Sequence, residues 1–259
     1  MNFLHHAQKV NMDFRNSDDS LSLFFTKGVS LKTWIESGTL NREKSLYEHL
    51  LKEEIFKKIY WFTYGSTDKA LAKSLYKKNL LDKRIIIIQK NKFFKGRILD
   101  FIYSVILVFI HSSEIKQSKL LKSNQVNGSW TALIAKFVYK KPFLLRCGYM
   151  MSRSEKIWKR KNKFTIKIME MLEKLVFQYC DLSIVSNMGD KKYIKETLKV
   201  LKSPIVINSF IDTTKFFYKK DDVNESDDFL FIGRLSFEKN LPNIFKAIKK
   251  INSSLSIIG

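Results

Sequence analysis

Gly233, Arg234 and Lys239 are the residues of this 259-residue chain whose types and spacing best suit chemistry on a ligand. They follow an apolar run, Phe229-Leu230-Phe231-Ile232, and precede a segment of helical period from about Leu241 to Ile251. A glycine after a strand lets the backbone approach a ligand, and cations at the entrance of a helix suit a phosphate. Such cations neutralise a diphosphate leaving group as charge develops on it, which is electrostatic catalysis. The same residue types equally suit a plain strand-to-helix turn with a solvated Arg and Lys, and composition alone does not separate the two.

Other familiar chemistries are excluded cheaply. The nine glycines never fall as G-x-G, and the four histidines never fall at H-E-x-x-H spacing, so dinucleotide fingerprints, P-loops and zincin sites are absent. Cys147 and Cys180 have no C-x-x-C spacing, which argues against a disulfide framework or a zinc site and for a reducing compartment. No metal site and no cofactor are expected, and His5-His6 read as part of a frayed tail. The net charge of +22 comes from 39 Lys and 8 Arg spread along the whole chain. Such a chain attracts anions, but it is Lys-rich and lacks a clustered recognition motif, so nucleic acid is not expected as a partner.

These residues need a scaffold, and the pattern of the chain names one. Short β-branched or aromatic runs at Leu21–Thr26, Ile59–Tyr64, Arg84–Gln89, Ser118–Ser123, Pro142–Cys147, Leu182–Ser186 and Ile205–Ile207 alternate with segments of helical period. Those segments fall at about 41–54, 68–78, 97–111, 129–139, 163–179 and 189–199. This alternation predicts an α/β fold with a doubly wound parallel sheet. The helical signal is best at 163–179, where Phe164, Ile168, Met171, Leu172, Leu175 and Tyr179 form one apolar stripe. Ile98 to Ile110 is the most apolar run, but it falls short of the roughly 18–20 residues that span a bilayer and reads as a buried or surface-docked helix. Met1 to Phe14 has no apolar core, so no secretory signal is expected.

The predicted organisation is a flexible tail at 1–19, a Rossmann-like domain at 20–212, a linker at 213–228 that is polar from Tyr218 onward, and a second unit at 229–259. Two strands and one helix cannot bury both faces of a sheet, so this last β-α-β unit has to lean on something else.

Phe229 to Gly259 resembles the opening of the donor-binding domain in retaining glycosyltransferases of the GT-B fold, family four. The matching residues are Gly233, Arg234, Leu235, Glu238 and Lys239, then Ile244, Ala247 and Ile248, then Ile257-Ile258-Gly259. Ile184-Val185-Ser186 and Val206-Ile207-Asn208-Ser209-Phe210-Ile211-Asp212 with Phe216 are similar to that family's last acceptor-domain strands and crossover, with Ser209 in the place of an Asn. The resemblance implies a GT-B amino-terminal domain plus the first β-α-β of the second, ending before the family's paired glutamates. It implies a UDP- or GDP-sugar donor, with Arg234 and Lys239 on its diphosphate in a catalytic role, and Gly28 and Gly233 lining the donor site. It implies transfer to a polysaccharide or lipid-linked acceptor, with retention, in the cytoplasm or on the cytoplasmic membrane face. The alternative is a non-catalytic half that binds acceptor or membrane and needs a separate donor-binding half.

On the acceptor side the candidates are Trp34, Arg42, Arg146 and Tyr149. Trp34 suits either a packing aromatic or a sugar platform, and Arg146 either a structural or an acceptor-facing role. Asn124-Gln125 and Gly128-Ser129-Trp130 follow one strand, and Arg146 to Tyr149 closes the next, at the carboxyl ends where open α/β sheets bind ligands. The family's His has no counterpart near Gly148. Lys156, Trp158, Lys159, Arg160, Lys161 and Lys163 form the densest basic cluster, which suits a solvated helix lead-in or an anionic membrane surface.

Overall fold

The computed structural model describes residues 19–209 and 228–259. Apart from Asp19 and Asp228, the expected tail and linker lie outside the described residues, as do Phe210, Ile211, Asp212 and Phe216. The chain divides into two compact units, one up to Asn208 and one from Ser209.

The first unit is built on seven parallel strands: β1 (Ser20–Phe24), β2 (Lys58–Phe62), β3 (Ile85–Ile88), β4 (Ser118–Ser123), β5 (Phe143–Cys147), β6 (Leu182–Val185) and β7 (Ile205–Val206). Their spatial order is β3-β2-β1-β4-β5-β6-β7. The chain first winds outward from β1 to β3, then crosses back to place β4 on the free edge of β1. That reversal lies between β1 and β4, and loops diverge there to open a crevice at the carboxyl ends of the strands. The strands read as near-continuous apolar runs because both faces are covered. β1 is buried at every residue, and two side-chain hydrogen bonds tie it to the start of β4: Ser22 Oγ with Ser118 Oγ at 2.7 Å, and Ser20 Oγ donating to the Gln117 carbonyl at 3.1 Å.

The helices are α1 (Leu31–Glu36), α2 (Leu40–Lys52), α3 (Asp68–Lys77), α4 (Arg97–Ile110), α5 (Ser112–Gln117), α6 (Ser129–Tyr139), α7 (Met151–Trp158), α8 (Lys163–Tyr179) and α9 (Met188–Glu196). α1 packs against α2 and α3, while α6 packs against α4, α5 and α8, giving the two layers of a doubly wound fold. Three short helices, α1, α5 and α7, escape the sequence pattern because each has eight residues or fewer and no full apolar period. Caps supply what periodicity does not. Ser30 and Thr33 form a reciprocal capping box on α1, and the Asn162 side chain accepts from the Thr165 amide to start α8.

The apolar stripe of α8 faces outward. Phe164 is 73% exposed and Met171 56%, whereas Ile166, Glu173, Val176 and Phe177 are buried. The inner face carries a carboxylate for a physical reason: Glu173 accepts from the amide and hydroxyl of Ser152 and so satisfies the free amino end of α7. Burial raises the Glu173 carboxyl above its ordinary range.

The second unit pairs β8 (Phe229–Ile232) in parallel with β9 (Leu255–Ile258) around α10 (Leu241–Ile251). None of its described residues is buried. Asp228 and Ser254 fasten the starts of the two strands, each amide donating to the other's side chain at 2.9 Å.

Candidate functional site

At the reversal between β1 and β4, two loops are joined backbone to backbone. The Lys27 amide donates to the Asn127 carbonyl at 3.1 Å, and Gly128 sits in the left-handed region at φ 95°. Gly28, also at positive φ, has an open side: a Cβ there would meet nothing within 4 Å. It lines a cavity of about 270 Å³ with Ser30, Lys32, Thr67, Asp68 and Lys90, near the carboxyl ends of β1, β2 and β3. The Asp68 carboxylate is fully buried and accepts from the amides of Leu31 (2.9 Å) and Lys32 (3.4 Å), so it anchors α1 rather than facing a ligand. Of the cavity's lysines, Lys32 pairs with Glu36 and Lys90 with Asp100, and Lys92 and Lys95 add positive charge that suits an anionic group.

Arg42 and Asn124, singled out separately in the sequence, belong to one network. Arg42 donates to Glu43 at 2.9 Å, and Asn124 Nδ2 donates to the other oxygen of Glu43 at 3.1 Å. Beneath them lies Lys122 of β4, which donates to Tyr47 Oη at 2.9 Å and to Asn124 Oδ1. Lys122 is 5% exposed, and burial, aided by the nearby Arg146 charge, brings its ammonium down to about 7. Burial also drives the Tyr47 hydroxyl upward. The sequence reading passed over Lys122. Its signal was a lysine at an inward position of Ser-Lys-Leu-Leu-Lys-Ser, where alternation places Ser118, Leu120 and Lys122 on one face.

Arg146, the penultimate residue of β5, is close enough to act on Lys122 and Tyr47 by its charge. The next residues lock β5 to its neighbours. Cys147 Sγ donates to the Tyr149 carbonyl at 3.0 Å, and Ser186 Oγ donates to the Gly148 carbonyl at 2.6 Å. Burial pushes the Cys147 thiol up to about 12, so it stays protonated and packs as an apolar group. Tyr149 is exposed beside this edge. Trp34 stacks on Phe25 with ring centroids 4.0 Å apart and meets Trp61 edge-on at 5.3 Å, the geometry of a packing aromatic. In the basic segment, Lys156 pairs with Glu170 and Arg160 with Glu155.

In the second unit, Gly233 follows β8 at φ 151°, a region open to glycine, and its amide donates to the Ile258 carbonyl at 2.8 Å. The stem of Lys239 crosses this glycine, its Cε 3.7 Å from where a Cβ would stand. Lys239 ends a one-turn helix, Phe237–Lys239, that leads through left-handed Asn240 into α10. Arg234 and Lys239 are exposed on the same turn. Among the described residues no group of three His, Cys, Asp or Glu side chains gathers as a metal site, and no helix is long and apolar enough to cross a membrane.

Among the solved structures with this architecture are a sucrose-phosphate synthase and a galactosyltransferase. A sucrose-phosphate synthase from Thermosynechococcus elongatus aligns with TM-score 0.65 at 13% identity over 93% of this chain and 62% of its own. The lipopolysaccharide outer core galactosyltransferase WaaB, in its apo form, aligns with TM-score 0.57 at 14% identity over 92% of this chain and 59% of its own. HepE of Anabaena, solved with UDP, aligns with TM-score 0.54 at 11% identity over 93% of this chain and 69% of its own. The chain thus spans about three fifths of the length of the first two. No protein-family profile and no curated protein matches it. At these identities the likeness concerns the fold, and the fold is that of the Rossmann-like domain of GT-B glycosyltransferases.

Proposed function

We propose that the chain serves glycosyl transfer from a nucleotide-sugar. Its first unit holds the acceptor, and the Gly233-to-Lys239 turn grips the donor diphosphate. The observation that supports this most is the fold likeness over 93% of the chain to a sucrose-phosphate synthase, joined by HepE with UDP bound. The acceptor hydroxyl attacks the anomeric carbon while Arg234 and Lys239 stabilise the departing diphosphate, with retention of configuration. The donor is a UDP- or GDP-sugar, and Gly28 and the lysine-lined cavity lie on the acceptor-side unit. The acceptor is a polysaccharide or lipid-linked glycan of the cell surface, reached from the cytoplasmic side.

A second reading has a specific observation behind it. The second unit buries none of its described residues, as expected of a donor half that needs further protein around it. In that reading the chain alone binds acceptor but turns nothing over. Calorimetric titration of the chain with UDP and with GDP separates the two: saturable binding that Arg234→Ala weakens supports the transfer reading. Absence of binding to either nucleotide supports the half-enzyme.

A further inference from the structure

The outward faces of α4, α6 and α8 form one apolar surface. α4 is apolar nearly all round, with Asp100 its only acidic residue, yet Ile98 is 77% exposed and Phe101 and Phe109 are half exposed. A helix apolar on every side belongs in a core or in lipid, and this one has only its inner half covered. Phe101 meets Trp130 of α6 at 5.9 Å between ring centroids, and Phe137 of α6 meets Tyr179 of α8 at 5.8 Å. These two contacts join the helices into a continuous face, completed by the outward stripe of α8. Apolar patches of such breadth are uncommon on free monomers and mark an interaction surface.

The charges around it are one-sided. Each carboxylate on the three helices is already engaged: Asp100 by Lys90, Glu170 by Lys156, and Glu173 by Ser152 in the interior. Lys163, Lys167 and Lys174 of α8 stand exposed along the stripe. Apolar and aromatic side chains flanked by lysines, with no free acid among them, match the acyl boundary and headgroups of an anionic bilayer.

We propose that this three-helix face docks the protein on an anionic membrane surface, lying in the interface rather than spanning it. The docking face is α4, α6 and α8, and it shares Lys163 with the basic segment 156–163, where Lys156 and Arg160 are held by glutamates. The proposal does not rest on the glycosyl-transfer reading, because vesicle binding and nucleotide binding fail separately.

The test is flotation of the purified chain with vesicles of phosphatidylcholine alone and with vesicles rich in phosphatidylglycerol. Wild type is expected to float with the anionic vesicles and to lose binding in high salt. Phe164→Glu combined with Met171→Glu should abolish flotation without changing the circular dichroism or Tm, since both side chains are exposed. Replacing Lys163, Lys167 and Lys174 by Gln should weaken binding about a hundredfold. Flotation that neither variant changes, or equal binding to neutral and anionic vesicles, overturns the proposal. So does a concentration-dependent dimer by light scattering that the Glu variants dissociate while wild type ignores vesicles, because the face then belongs to a second copy.

Discussion

A Cβ on Gly128 would stand 2.7 Å from the backbone nitrogen of Lys27. The atom it meets cannot swing away, and Gly128 also holds a positive φ. We predict that Gly128→Ala destabilises the first unit by about 2–4 kcal/mol in urea unfolding. Gly28→Ala, strained in φ but open in space, should lose only about 1 kcal/mol. Equal losses would show that loop contact is not what demands glycine at 128.

Asp68 gives a second prediction. Removing its carboxylate leaves the amides of Leu31 and Lys32 without their acceptor in a buried place. Asp68→Ala should cost about 2–4 kcal/mol, and Asp68→Asn, which keeps one acceptor oxygen, about half of that. Chemical unfolding of both variants checks the order; an Asn variant as unstable as the Ala variant would contradict it.

The buried Lys122 makes stability depend on pH. A free lysine titrates near 10.4, whereas burial and Arg146 bring Lys122 down to about 7. Between those values the unfolded chain carries a proton that the folded chain lacks, so stability rises as pH rises, by at most about 1.4 kcal/mol per pH unit. Below about 7 the whole penalty is present. Lys122→Met removes this slope. Melting curves of wild type and variant from pH 7 to about 9 should therefore diverge, wild type gaining relative to the variant; parallel curves would place the ammonium in water.

At the Gly233 turn, Arg234→Ala and Lys239→Ala should each weaken UDP binding about tenfold or more, the scale of one charge-assisted contact to phosphate. Lys249→Ala, in the last turn of α10, serves as the control and should leave affinity unchanged. A control as damaging as the two turn variants would mean that only overall charge matters.

Most of the sheet was legible because parallel strands are short apolar runs, and β3, four isoleucines in a row, admits no other reading. Alternation predicted a parallel, doubly wound sheet but not the order β3-β2-β1-β4, which rests on the pairing of β1 with β4 across the chain. What stayed hidden lay in contacts between distant residues. Nothing local announces that Asn124 reaches Glu43 across 81 positions, or that Lys122, inward by alternation, donates to Tyr47 across 75. The stripe of α8 was legible as a stripe, but periodicity does not say which way it faces; Glu173, turned inward to serve Ser152, decides that.

The placement of β4 beside β1 also sets an order of events during synthesis. Leu21 pairs with Leu120, so the second edge of β1 stays without a partner after β2 and β3 have been made. At roughly 5–20 residues per second, the stretch from Ile88 to Ser123 leaves that edge bare for a few seconds on the ribosome. The loop at Gly28 has no opposite wall in that interval. One event, the arrival of β4, covers this edge of β1 and creates the crevice.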